Sequence, residues 1–391
     1  MNQPPKPRIK PWNDPRIRAW VAQILALVFV IWLAATLFSN TLQNMERRSI
    51  QTGFDFLSRT AGFGISFSLI PYSETDTYGR TFFVGLLNTI LVSGLGIVTA
   101  TILGFVAGIA RLSSNWLVAR IAEVYVEIFR NIPLLLQIFF WYFAVLQALP
   151  VPRQAFRIHD LFFLSKRGLN MPSPVAGPGM EWVTILFLVG LVATLLIGRW
   201  ARKRREETGQ GFPFWRTALG LVVVLPLALF ALLGAPLSWD VPHLRGFNFV
   251  GGATLLPELV ALWFALTIYT GTFIAEIVRS GIQAVSHGQT EAAAALGLKR
   301  GQVTRLVVLP QALRVIIPPL TSQYLNLTKN SSLATAIGYP DLVNVFMGTT
   351  LNQTGQAVEV VAMTMGVYLT LSLTISAVMN GYNRRVALKE R

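Results

Sequence analysis

Residues 291–310 read EAAAALGLKRGQVTRLVVLP. On either side of them the chain is rich in long apolar runs, and here it is not. Ala292 to Ala295 favour helix and carry almost no side chain. Glu291 stands ahead of them, where an acid in the N-terminal turn offsets the helix dipole. Gly297 suits the left-handed residue that ends a helix. Lys299 and Arg300 read as solvated, and a second short helix is expected to run to Leu309 and to break at Pro310. The stretch describes a small soluble helix, smooth enough to enter a groove of another protein closely. Taken alone it also fits a structural turn.

Outward from this stretch the composition is that of a membrane protein. Of 391 residues, 53% are hydrophobic and only 13% charged, where soluble domains carry about a quarter. Several apolar runs reach the roughly 20 residues that cross a bilayer. An all-α, polytopic chain with about eight spans is expected, near 18–38, 82–110, 121–148, 182–198, 217–235, 257–278, 312–335 and 358–380. The second run exceeds what a span needs and should tilt or extend past the bilayer. Its GFVAG places Gly104 and Gly108 four apart, a spacing that lets helices approach closely. The start, MNQPPKPRIKPWNDPRIRAW, is polar and basic, and the run after it is too long for a signal core, so no cleaved signal is expected.

The formal net charge of +15 reflects the side of the membrane rather than nucleic acid, which is not expected as a partner. With the N-terminus inside, the segments 1–18, 111–120, 199–216, 279–314 and 383–391 hold 22 Lys and Arg, against 9 in 39–81, 149–181, 235–252 and 336–357. That bias puts both termini and the alanine helix in the cytoplasm. RWARKRREE (199–207) reads as a cytoplasmic anchor between spans or, more sharply, as a site for acidic lipid. Residues 149–252 read as an insertion: Pro- and Gly-rich outer loops, PVPRQ and NMPSPVAGPGM, around an apolar hairpin, 182–235, with no acid or base in its membrane runs. The first span is equally plain. Polar intramembrane residues lie in the other five, which suggests a five-helix functional core with three peripheral helices.

Chemistry-bearing motifs are missing. His159, His243 and His287 lie far apart, there is no cysteine, and no metal-ligand spacing, phosphate-binding G-x-x-x-x-G-K-[ST] loop or Ser–His–acid set can be drawn. No metal, no cofactor and no catalytic residue is expected, and the chain is not expected to be an enzyme.

The spacing of residues 291–310 resembles the E-A-A-x3-G-x9-I-x-L-P loop of ATP-binding-cassette (ABC) importer permeases. Glu291, Ala292, Ala293, Gly297, Leu309 and Pro310 match it, and Val307 stands where isoleucine is usual. GLLNTILVSGLG (85–96), YVEIFRNIPLLLQIFFWYFAV (125–145), FIAEIVRSGIQAVSHGQTEAAAALGL (273–298) and LPQALRVIIPPLTSQYLNLTKNSSLATAIG (309–338) look like the branch that imports polar amino acids. The extra helices and the insertion look most like a paired permease of general L-amino acid importers. The resemblance implies a type I importer core over 85–382, interrupted by 149–252 and flanked by 1–81 and 383–391. It implies an alternating-access pore in a bacterial inner membrane, a coupling helix seated in a separate ABC ATPase subunit, a second permease subunit, and a periplasmic amino-acid-binding protein that delivers L-amino acids. The alternative is a secondary amino acid transporter acting without an ATPase.

Two further sets of residues have their own logic. Glu127 and Arg130, and Glu276 and Arg279, are each three apart, so each pair lies on one helix face. They neutralise one another near the interface, or they form an inner gate or a brace for the coupling loop. After Pro318 and Pro319, the residues Ser322, Gln323, Asn326, Lys329 and Asn330 recur at three- and four-residue spacing, with Leu320, Tyr324 and Leu327 on the other face. A lysine at mid-membrane costs about 2.5–3.5 kcal/mol against lipid. Either Lys329 snorkels or caps loop carbonyls, or this face lines a translocation path in which Lys329 meets the substrate carboxylate.

Overall fold

The computed structural model describes residues 15–47 and 52–386; the expectations for the extreme N-terminal and C-terminal tails lie outside the described residues. The helices are α1 (Pro15–Arg47), α2 (Tyr78–Ala110), α3 (Trp116–Asn131), α4 (Leu134–Phe139), α5 (Met180–Thr208), α6 (Phe214–Leu219), α7 (Leu225–Leu232), α8 (Pro257–Gln283), α9 (His287–Ala295), α10 (Arg300–Val303), α11 (Leu309–Asn330), α12 (Leu351–Thr354) and α13 (Ala357–Val386). Among the described residues seven helical stretches are long and apolar enough to cross a bilayer, and α3 with the stretch to Leu146 would make an eighth.

That eighth element corrects the expected continuous span at 121–148. It is bent by 105°. Pro133 has no N–H and disfavours helix at the residue before it, and Ile132 is extended at φ −94°, ψ 127°. The break frees carbonyls, and Gln137 Nε2 takes two of them, donating to Phe129 O at 2.8 Å and Ile132 O at 3.0 Å. Pro310 is a second correction. It does not end a helix but sits in the first turn of α11. A wide π-type turn, Thr304–Val308, precedes it and opens the ladder where the proline ring would strike the carbonyl four residues back. Pro226 in α7 follows a similar turn, Gly220–Val224.

The chain forms two compact units, Thr89–Tyr339 with Thr374–Arg391, and Met1–Asn88 with Pro340–Leu373. The first is built on α8. Leu259, Leu262, Leu266, Ile274 and Val278 of α8 are buried, with Ile316, Ile317, Leu320 and Leu327 of α11. Ala122 and Val126 of α3 are buried as well, and Val126 packs with Ala107 and Ala275. Gly104 and Gly108 are packing contacts of α2 on α8. A Cβ at Gly104 would lie 2.5 Å from Ile274 Cβ, and one at Gly108 2.6 Å from Ala275 O.

The loops on either side of α5 and α7 carry short strands. β1 (Phe156–Ile158), β2 (Phe162–Ser165), β3 (Gly168–Met171) and β8 (Ala253–Leu255) form an antiparallel sheet in that order; β4 (Ser173–Ala176) pairs with β5 (Leu237–Asp240), and β6 (His243–Arg245) with β7 (Asn248–Val250). β3 meets β8 in the register Leu169↔Leu255, so the chain before α5 and the chain after α7 are stitched together. Between them α5 packs on α6 and α7. Leu188, Val189, Leu195 and Leu196 of α5 stay exposed.

In the second unit the segment after α1 is packed. Phe56 is fully buried and its ring meets those of Tyr78 and Phe346. Asn88 Nδ2 donates to Phe67 O at 2.9 Å and Pro340 O at 2.8 Å. Tyr78 Oη donates to Gln353 Oε1 at 2.8 Å, and Gly53 N to Glu359 Oε1 at 2.6 Å.

Candidate coupling loop, charged cluster and polar helix face

The loop between α8 and α11 carries α9 as a separate short helix, seated on its own chain on one side and open on the other. Ser286 at its N-cap is extended, so the helix begins at His287, four residues before Glu291. The sequence expectation of Glu291 in the first turn is thereby corrected: it lies in the helix body and accepts from His287 Nδ1 at 2.9 Å across one turn. The far end closes as expected. Gly297 has φ +80°, Gly297 N donates to Ala294 O at 2.9 Å and Leu298 N to Ala293 O at 3.3 Å, the double bond of a Schellman stop. Glu291, Ala292, Gly297, Leu309 and Pro310 are exposed. Ala293 is not part of that outer surface: it is 5% exposed and faces the chain itself, where a larger side chain would lift α9 off its support. Leu296 is 82% exposed, an apolar side chain that α9 offers outward.

The two Glu–Arg pairs part ways. Glu276 pairs with Arg279, Nη2 to Oε1 at 2.5 Å, and also receives Arg111 Nη1 on its other oxygen. Arg279 Nη1 reaches on to Gln283 Oε1 at 2.6 Å. One carboxylate therefore joins α2 to α8. Glu127 and Arg130 form no ion pair with one another; the Arg130 guanidinium lies 5.3 Å from the centre of the Phe273 ring. Three-residue spacing allows a pair without enforcing it, and an exposed arginine gains about as much on an aromatic face as in a surface pair.

Arg111 was missed by sequence reasoning, which counted it only as a loop charge. Its signal was its position: it lies seven residues after Gly104 and three after Gly108, so it shares their α8-facing stripe. A polar chain was missed as well. Trp263 Nε1 donates to Thr99 Oγ1 at 3.0 Å, Thr99 and Thr267 hydroxyls lie 2.7 Å apart, and Thr101 Oγ1 donates to Tyr324 Oη at 3.0 Å.

On α11 the two faces separate as their spacing requires. Leu320 and Leu327 are buried, while Ser322, Asn326 and Lys329 are exposed and Gln323 and Asn330 half-buried. No element of the chain's described residues covers Lys329. A polar stripe on an apolar helix is thus left open to whatever adjoins it.

A family model, "Binding-protein-dependent transport system inner membrane component", matches residues 100–388. The permease protein YhdX of Escherichia coli (strain K12) is 58% identical over 97% of this chain and 96% of its own. The general L-amino acid transport system permease protein AapQ of Rhizobium johnstonii is 52% identical, over 97% and 94%. The glutamate/glutamine/aspartate/asparagine transport system permease protein BztB of Rhodobacter capsulatus is 44% identical, over 97% and 96%. With a family match over most of its length and relatives this similar end to end, the chain belongs to the binding-protein-dependent transport system inner membrane components, as a multi-pass permease of ABC importers.

Proposed function

We propose that this permease carries L-amino acids across the bacterial inner membrane by alternating access, driven by ATP hydrolysis in a separate ABC ATPase subunit. The observation that carries the reading is α9: a capped helix, open on its outer side, that bears the E-A-A-x3-G spacing between two membrane helices. A transporter acting alone has no use for such a peg, and the relatives named for amino acid transport favour the same reading.

In this proposal Glu291, Ala292 and Gly297 meet the ATPase, Ala293 seats α9 on its own chain, and Leu309 and Pro310 join the loop to α11. Glu276, Arg279 and Arg111 brace the loop from α8, and Glu127 and Arg130 flank the inner gate. Gln323, Asn326, Lys329 and Asn330 line the path, which a second permease subunit completes, and a periplasmic binding protein delivers the substrate. Both termini lie in the cytoplasm, and the transport domain is 85–382, with 149–252 as its insertion. Purification from native membranes, followed by uptake of labelled L-amino acids into vesicles loaded with ATP, tests this. Uptake that persists when the co-purifying ATPase is removed would favour a secondary transporter.

A further inference from the structure

The C-terminal half of α5 carries five consecutive-turn cations, and they divide by what they touch. Lys203 pairs with Glu207 at 3.7 Å. Arg204 lies over the Trp200 ring at 5.2 Å and donates to Gln210 Oε1 at 3.0 Å. Arg199, Arg202 and Arg205, three residues apart, make no ion pair among the described residues. They line one cleft of about 740 Å³ between α5 and the start of α6. The other end of the cleft is apolar, with Leu195 and Phe214 in its wall. The Thr194 hydroxyl also lines it, buried and without a hydrogen-bond partner.

This placement straddles two solvents. The apolar run of α5 ends where the arginines begin, so the Leu195 end lies at the depth of acyl chains and the arginine end at the depth of headgroups. Three guanidiniums with no carboxylate paired to them repel one another, and a bound anion relieves that repulsion. A phosphate oxygen pair matches their fork geometry. A molecule with a net anionic phosphate headgroup and a hydrocarbon tail satisfies both ends. We propose that this cleft binds the headgroup of an anionic phospholipid, with its glycerol and upper acyl chain against Leu195 and Phe214.

The test is native mass spectrometry of the full chain with its co-purifying subunits, titrated with dioleoyl phosphatidylglycerol, dioleoyl phosphatidylcholine and inorganic phosphate. Phosphatidylglycerol is expected to stay bound where phosphatidylcholine does not. At roughly tenfold for each charge-assisted contact to the phosphate, the triple variant R199Q/R202Q/R205Q should lose on the order of a hundredfold or more in affinity. The variant K203Q/R204Q/R216Q removes the same charge from residues outside the cleft and should bind as wild type. Because cytoplasmic charge also sets topology, R199K/R202K/R205K keeps the charge and should still lose several-fold, for want of the two-pronged contact. Equal binding by wild type and both cleft variants would overturn the proposal. So would equal loss in the cleft and control variants, which would mean diffuse charge, or displacement of the lipid by inorganic phosphate, which would mean a free-anion site.

Discussion

Arg111 and Glu276, 165 residues apart in sequence, share a hydrogen-bonded ion pair that ties the end of α2 to α8. Glu276 holds Arg279 with its other oxygen, so the carboxylate is the hub and each arginine a spoke. Glu276→Gln should therefore cost more than Arg111→Gln. Breaking a fully buried pair costs about 3–5 kcal/mol; this one is partly exposed and keeps a second arginine, so Arg111→Gln should cost about 1–2 kcal/mol. A double-mutant cycle read by thermal unfolding in detergent should show coupling, and additive effects would show that the pair contributes nothing.

Gly104 and Gly108 should tolerate no side chain. Gly108→Ala already drives a methyl into a backbone carbonyl of α8, and Gly104→Leu meets Ile274. Overpacking of this kind costs about 1–3 kcal/mol. Lower melting temperature with unchanged membrane insertion is the expected result, and an unchanged melting temperature for both would disprove the close approach.

At the coupling loop, Gly297→Asp forces a side chain onto φ +80° and should cost about 1 kcal/mol locally while distorting the stop of α9. Glu291→Lys removes the His287 partner and reverses an exposed charge. Both should leave the chain inserted but reduce ATP hydrolysis stimulated by substrate, along with recovery of the ATPase on purification. Ala293→Leu should do the same by lifting α9 from beneath, although Ala293 touches no partner. Wild-type stimulation in all three would remove α9 from coupling.

Lys329→Met is nearly matched in volume and removes only the charge. If Lys329 meets the substrate carboxylate, uptake at limiting amino acid should fall at least tenfold, about 1.4 kcal/mol, with assembly and basal ATP hydrolysis intact. Lost assembly instead would make Lys329 a structural residue of the subunit contact.

The chain has no cysteine, so single cysteines report sidedness directly. Thr60→Cys and Arg245→Cys should react with an impermeant thiol reagent in intact cells, and Glu207→Cys and Ala295→Cys only after lysis. Outside labelling at 295 would invert the orientation drawn from the basic residues.

What could be read from sequence was whatever is local or strongly periodic. The seven unbroken spans, the Gly104–Gly108 stripe, the Gly297 stop and the two faces of α11 all follow from spacing along one helix. What could not be read depends on distant partners or on competition between local choices. Arg111 finds Glu276 only once α2 packs on α8. Arg130 chooses Phe273 over Glu127, and both lie within its reach. Pro133 and Pro310 carry the same restriction, yet one breaks a helix and the other is absorbed by a π-type turn. Strands of three or four residues are too short to show alternation, so the pairing of the outer loops was hidden. Phe56 gave no sign of burial, because its partners, Tyr78 and Phe346, come from elsewhere in the chain.

The stitch of β3 to β8 bears on how this chain relates to shorter ones. Leu169 and Leu255 are ladder neighbours, so the hairpin leaves the core and returns to it at a single point. It also holds two stretches long and apolar enough to cross a bilayer, Met180–Thr208 and Phe214–Leu232, an even number. A path cut at the stitch would run from α4 to α8 with neither the distance between them nor the side reached by α8 altered. Parity thus shields everything downstream: the excursion can be gained or lost as a unit without turning α9 to face the wrong compartment.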